Sequence, residues 1–297
     1  MRHSYLRLAI LGVAALTLLA FATPASAHTV PDSAAKANKV TNQCTDLATM
    51  LHHDTPNTQP FSATAAAALD DGCAAYVATS STPSELEIEF LQGVPGTSVP
   101  IGTVRTQYGV GVNLTDLALA SDGTLYGIDF TSTLWTISTG TAVATSIRSL
   151  GEVVNGLVVG AYGQLIASGN GIDLIVNPKT GLWDGWFYTD YNSSGDLAVN
   201  SKGTLFMTAT STPESDRLVA YNGKTGVEDP TKDEIGWPNV YGLVSSDGTL
   251  YGATLAGNLL TINPKTGKGT LVHTGAKGSP VAIGPSINGM TTPPNHT

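Results

Sequence analysis

The strongest constraint on the fold of this chain is a unit of about forty residues that recurs along it. Asp116-Leu117-Ala118-Leu119 leads through Asp122-Gly123-Thr124 to Leu125-Tyr126-Gly127. The same passage returns as Gly156-Leu157-Val158-Val159 to Gly163-Gln164-Leu165-Ile166, as Asp196-Leu197-Ala198-Val199 to Gly203-Thr204-Leu205-Phe206, and as Tyr241-Gly242-Leu243-Val244 to Asp247-Gly248-Thr249-Leu250-Tyr251-Gly252. The turn glycines Gly123, Gly163, Gly203 and Gly248 are 40, 40 and 45 residues apart. A second turn keeps the same period: Asn177-Pro178-Lys179-Thr180-Gly181, Asn222-Gly223-Lys224-Thr225-Gly226 and Asn263-Pro264-Lys265-Thr266-Gly267, with Ser138-Thr139-Gly140 a shortened copy. In such a turn Asn bonds its own backbone, Pro presets φ, and Gly supplies the left-handed residue that restores the ladder.

Strand-like runs flank both turns, so each unit holds four short strands, the pattern of a propeller blade. Four whole units run from about 114 to 275. Leu86–Phe90 and Ser98–Val104 read as two outer strands, and Pro280–Ile283 with Ile287–Met290 as two inner ones. Each half supplies what the other lacks. The expectation is an all-β fold, a β-propeller of five four-stranded blades, closed by N- and C-terminal half-blades that hide its edges. An open β-array or sandwich is the competing arrangement.

The Asp-Leu-Ala-x-x-x-x-Gly-x-Leu-Tyr repeats and the Asn-Pro-Lys-Thr-Gly turns resemble those of the NHL, SMP-30/gluconolactonase and quinoprotein-like propellers, over residues 84–291. The resemblance is specific for fold and nearly silent on activity. Gluconolactonase-like enzymes hold a metal in the central channel with acidic and Asn side chains, which here would be Asp116, Asn155 and Asp196. These residues either bind Ca²⁺ or cap backbone N–H groups at strand starts, and the cap is preferred. Quinoprotein repeats place a Trp after the Thr-Gly turn. Only Trp186 comes near, one position late, so no quinone cofactor is expected.

The ends of the chain differ from the repeats. Arg2 and Arg7, the uncharged apolar run Leu8–Phe21 and Ala25-Ser26-Ala27 have the layout of a secretory signal peptide over residues 1–27. The apolar run is too short to span a bilayer, which takes roughly twenty residues. Export favours a disulfide between Cys44 and Cys73, the only two cysteines. Residues 28–83 read as a small helical segment pinned by it, with helices over 34–51 and Ser62–Leu69 and a loop over Asp54–Pro60. Residues 292–297 form a tail.

Composition narrows the function. The formal net charge is −9, from 14 basic and 23 acidic residues, and becomes more negative once the leader is removed with Arg2 and Arg7. A nucleic-acid backbone and an anionic membrane surface are poor partners for such a chain. Of six histidines, His3 lies in the leader, His28, His52, His53 and His296 lie outside the repeats, and His273 falls on an outer strand. No Ser/His/Asp set, lyase histidine or zinc cluster can be assembled at the channel. The stretch Glu228–Glu234 has no calcium-loop pattern and reads as a solvated loop.

One feature suggests a ligand. Trp183-Asp184-Gly185-Trp186-Phe187-Tyr188-Thr189-Asp190-Tyr191 concentrates five aromatic residues, in a chain with 4 Trp, 10 Tyr and 6 Phe in all. Such rings fill gaps between blades or stack on sugars. Trp183, Trp186, Tyr188 and Tyr191 are the candidate ligand contacts, Trp183 and Tyr191 being expected most exposed. The leading function is a secreted, monomeric, non-catalytic binding module for a glycan, cell-envelope component or extracellular protein, without membrane insertion. A Ca²⁺-dependent hydrolase or lyase and a structural envelope protein are the alternatives.

Overall fold

A computed structural model describes Cys44 and residues 63–222, 228–229, 234–272 and 286–293. The leader, the helix expected over 34–51 apart from Cys44, the strand expected over 280–283, and all six histidines lie outside these residues. The chain is all-β in a propeller-like arrangement, with one short described helix, α1 (Ala63–Asp70), ahead of the strands. No helix among the described residues is long and apolar enough to cross a membrane.

The strands are β1 (Ala74–Thr79), β2 (Glu85–Phe90), β3 (Ser98–Thr103), β4 (Arg105–Thr106), β5 (Leu114–Leu119), β6 (Leu125–Asp129), β7 (Thr133–Ile137), β8 (Val143–Ser149), β9 (Val154–Val159) and β10 (Leu165–Val176). They continue with β11 (Trp183–Val199), β12 (Thr204–Thr212), β13 (Ser215–Asn222), β14 (Glu228–Asp229), β15 (Val240–Ser246), β16 (Thr249–Thr254), β17 (Leu259–Ile262), β18 (Gly269–Leu271) and β19 (Ile287–Thr291).

They lie in four sheets, ordered β19-β1-β2-β3, β4-β8-β7-β6-β5, β14-β13-β12-β11-β10-β9 and β15-β16-β17-β18. Five separate sheets were expected. The count differs because β11 does not break: its first half pairs with β10 (Trp186 opposite Leu174) and its second half with β12 (Leu197 opposite Met207). Two repeat units therefore share one six-stranded sheet. The first strand of each unit packs against the next: β5 against β9 and β19, β9 against β11, β11 against β15, and β15 against β19.

The turn chemistry matches the sequence. Gly123, Gly163, Gly203 and Gly248 have φ of 83°, 79°, 75° and 75°, the left-handed region that glycine enters without steric cost. Ahead of Gly181, Oδ1 of Asn177 accepts the Lys179 N–H at 3.0 Å, and the Gly181 N–H closes on the Asn177 carbonyl at 2.8 Å. Asn263, Lys265 and Gly267 repeat this at 2.9 and 2.8 Å.

The terminal sheet departs from expectation in one strand. Its outer strands β2 and β3 and its inner strand β19 lie where the sequence places them. The remaining strand is β1, inside the segment read as helical. Ala74-Ala75-Tyr76-Val77-Ala78-Thr79 is buried at every position, so it lacks the alternation that marks a half-exposed strand. β1 pairs with β19 (Tyr76 opposite Thr291) and with β2 (Tyr76 opposite Ile88). The Cys44–Cys73 disulfide is formed, with a Cα–Cα distance of 5.3 Å. Its cysteines share one apolar cluster with Leu69, Leu86, Phe90, Leu114 and Leu117. The bridge is thus part of the core between the first two sheets.

Candidate functional site

The site to which the repeats point lies where β5, β9, β11, β15 and β19 converge. One position in each strand precedes a large apolar residue: Asp116 before Leu117, Gly156 before Leu157, Asp196 before Leu197, Gly242 before Leu243 and Gly289 before Met290. Two carboxyl groups and three glycines occupy equivalent places. The five amides that follow all end on the two carboxyls. Asp116 Oδ1 accepts from Leu117 at 2.6 Å, and Oδ2 from Leu157 at 2.6 Å. Asp196 Oδ1 accepts from Leu197 at 2.5 Å, and Oδ2 from Leu243 at 2.6 Å and Met290 at 3.1 Å.

Both acids are 0% exposed. Edge N–H groups in such a place have no water to bond, and leaving one unmet costs about 1–3 kcal/mol. The glycines make the room. A Cβ on Gly289 would overlap Asp116, and one on Gly242 would come within 2.8 Å of Met290.

Burial pushes both carboxyls well above the usual carboxylate range, and each also lies against the other, to which it hydrogen-bonds. Two carboxylates this close do not both ionise in a dry site, so one proton is held between them. Asp196, with three backbone N–H donors against two, is the partner better able to carry the charge.

This set does not fit Ca²⁺. Every carboxyl oxygen of Asp116 and Asp196 is taken by backbone N–H, and a pair sharing a proton offers a cation little charge. Asn155 lies beside them on β9, but its Nδ2 donates to the Ser193 carbonyl at 3.2 Å and its Oδ1 is buried without a partner. Among the described residues no group of three or more His, Cys, Asp or Glu side chains is placed to hold a metal. Through these hydrogen bonds the three residues tie neighbouring strands together.

Beyond the carboxyl pair, the far ends of the same five strands enclose a cavity of about 400 Å³. Among the described residues no ionisable or aromatic side chain lines it. Sequence reasoning missed it because its walls are residues of ordinary strand type, and only their convergence makes a cavity.

The aromatic stretch forms the first half of β11. Trp183, Trp186 and Tyr188 are 38%, 57% and 78% exposed. The two indoles lie 6.4 Å apart at 59°. Phe187 turns the other way and packs edge-on against Tyr221 at 6.1 Å. Tyr191 corrects the expectation: it is half-buried, and its hydroxyl donates to Glu228 at 2.8 Å. The strand has passed by then from the sheet's outer region toward its inner part, and Tyr191 packs against the apolar cluster that contains Leu197, Met207 and Tyr221. Leu182, 52% exposed, extends the apolar strip at its start.

No protein-family model matches the chain. No curated protein matches it either. Among solved structures, a protein of unknown function from Bacteroides caccae is similar over 66% of this chain and 72% of its own, with a TM-score of 0.40 and 12% sequence identity.

Proposed function

We propose that this is an exported, non-catalytic β-propeller that binds a glycan on the aromatic strip of β11. The observation that carries the reading is the exposure of Trp183, Trp186 and Tyr188 together on one strand. Large rings grouped on one strand form a contiguous apolar patch, which marks a binding surface more often than singly exposed residues do. Aromatic faces stack on the C–H faces of a sugar ring, and the neighbouring Asp184, Asp190 and Asn192, all exposed, supply acceptors for its hydroxyls.

The enzyme alternative has little to draw on. The two buried acids are committed to backbone amides, and among the described residues the cavity beyond them is lined by no group that moves a proton at neutral pH.

The scaffold in this reading is a ring of five blades. Counting the two halves of β11 in separate blades gives five units, and the five first strands touch in cyclic order. The pairing of β19 with β1 supports closure by the two ends of the chain. The resemblance to NHL, SMP-30/gluconolactonase and quinoprotein-like propellers belongs to this reading as a matter of fold, and no ligand is carried over from it.

A glycan array probed with the wild-type chain and with Trp186→Ala tests the proposal. Binding to a defined set of glycans, lost or weakened at least tenfold in Trp186→Ala, is expected. Binding unchanged by Trp186→Ala and Tyr188→Ala together would remove β11 as the platform.

A further inference from the structure

We infer that the cavity at the ends of the five converging strands is a second ligand site, for a small uncharged polyhydroxy molecule of monosaccharide size. Its volume of about 400 Å³ lies within the range of about 300–1,000 Å³ usual for small-molecule pockets. Its walls come from every one of the strands: Leu119 of β5, Val159 of β9, Val199 of β11, Val244 of β15 and Thr291 of β19.

The lining chooses the chemistry. A charged ligand would meet no opposite charge from these walls, because among the described residues no lining side chain is ionisable. A hydrocarbon would leave the polar part of the wall unpaired. That part consists of Asn200 and the hydroxyls of Ser121, Ser201, Ser245, Thr291 and Thr292, set among aliphatic side chains. Hydroxyls alternating with C–H groups are what a neutral sugar or cyclitol presents in return.

Thr291 is the best-placed contact. It is only 8% exposed, and its Oγ1 accepts the Leu119 N–H at 3.0 Å. A hydroxyl that accepts one bond keeps its own proton and a second lone pair for another partner. The base of the site is also rigid. Leu197, Leu243 and Met290 line it, and their amides are the three fixed by Asp196. A wall already held in place loses little freedom when a ligand arrives.

The test uses the methionine methyl groups of the full chain, of which there are four. Met290 lines the cavity, whereas Met207 is buried among Leu197, Leu205 and Tyr221 and serves as an internal control. Methyl-labelled protein is titrated with methyl glucoside, methyl galactoside and myo-inositol, and with gluconate and glucosamine as charged analogues. At least one uncharged probe should shift Met290 saturably and leave Met207 still, with the charged analogues at least tenfold weaker. Ser201→Trp and Ala161→Trp, at exposed rim positions, should abolish the shift. Trp186→Ala should leave it intact, which separates this site from the β11 platform. The inference is overturned if no uncharged probe moves Met290 saturably, if the charged analogues bind as well, or if both rim variants bind as the wild type does.

Discussion

The carboxyl groups of Asp116 and Asp196 hydrogen-bond to each other in a fully buried site and between them accept the amides of five strands. The pair is a tie as much as a charge. Asp116 joins β5 to β9, and Asp196 joins β11 to β15 and β19.

The two acids should not be equivalent. Asp196→Ala leaves three buried amides unmet, and Asp116→Ala two. At about 1–3 kcal/mol for each, both losses are large, and Asp196→Ala is expected to be the worse. Asn at 116 keeps one acceptor and a donor toward Asp196, so Asp116→Asn should cost less than Asp196→Asn. Urea unfolding of the four variants at one pH checks the order.

Stability should fall as pH rises from the acid side. Burial raises Asp173 to about 6. Burial, helped by the Glu87 charge, raises Glu89 to about 8. The central pair is raised well above the usual range as well. A raised folded-state pKa means that the folded chain holds the proton more tightly. Its contribution is complete below the unfolded value near 4 and is lost as pH climbs through the folded value. For Asp173 this amounts to roughly 3 kcal/mol lost between about pH 4 and 6. Glu89→Gln should flatten the decline from pH 6 to 8, and Asp173→Asn the decline below it, in unfolding free energies measured across pH. A wild-type stability that rises over this range would contradict the assignment.

Two glycine substitutions separate space from backbone conformation. Gly289→Ala forces a methyl into Asp116 and should destabilise by about 3 kcal/mol or more. Gly123→Ala meets no atom within 4 Å, and only its φ of 83° opposes it, for a cost of about 1–2 kcal/mol. Thermal unfolding of both variants gives the comparison.

The disulfide should matter beyond its loop. Cys44 and Cys73 are both 0% exposed in the core between the first two sheets. Replacing both with Ser removes a cross-link across a sequence separation of 29, worth about 3.6 kcal/mol in the chain-entropy model, and also buries two hydroxyls among apolar side chains. A loss larger than the loop term is expected from denaturant unfolding.

What was legible in the sequence follows from the range of each signal. Turns are local: Asp122-Gly123 and Asn263-Pro264-Lys265-Thr266-Gly267 carry their geometry in their own residues, and the repeat followed from them. β1 was not legible, because Ala74–Thr79 is buried on both faces and has no period to read. The continuity of β11 was hidden because nothing in Thr189–Ser193 breaks a strand, while the repeat implied a break. The exposure of Tyr191 was misjudged because its partner, Glu228, comes from a distant strand. Asp116 and Asp196 stood out as acids at strand starts. Their glycine counterparts Gly156, Gly242 and Gly289 were present in the same alignment of repeats, but their role appears only when the five strands lie side by side.

Two carboxyls hold five amides at one level of the fold. Backbone hydrogen exchange in the wild type and in Asp196→Asn reads this arrangement amide by amide. Leu117, Leu157, Leu197, Leu243 and Met290 should be among the slowest amides in the wild type, and the variant should accelerate Leu197, Leu243 and Met290 together while sparing Leu117 and Leu157 relative to them. Fast exchange at these amides in the wild type, or acceleration in the variant confined to Leu197, would contradict it.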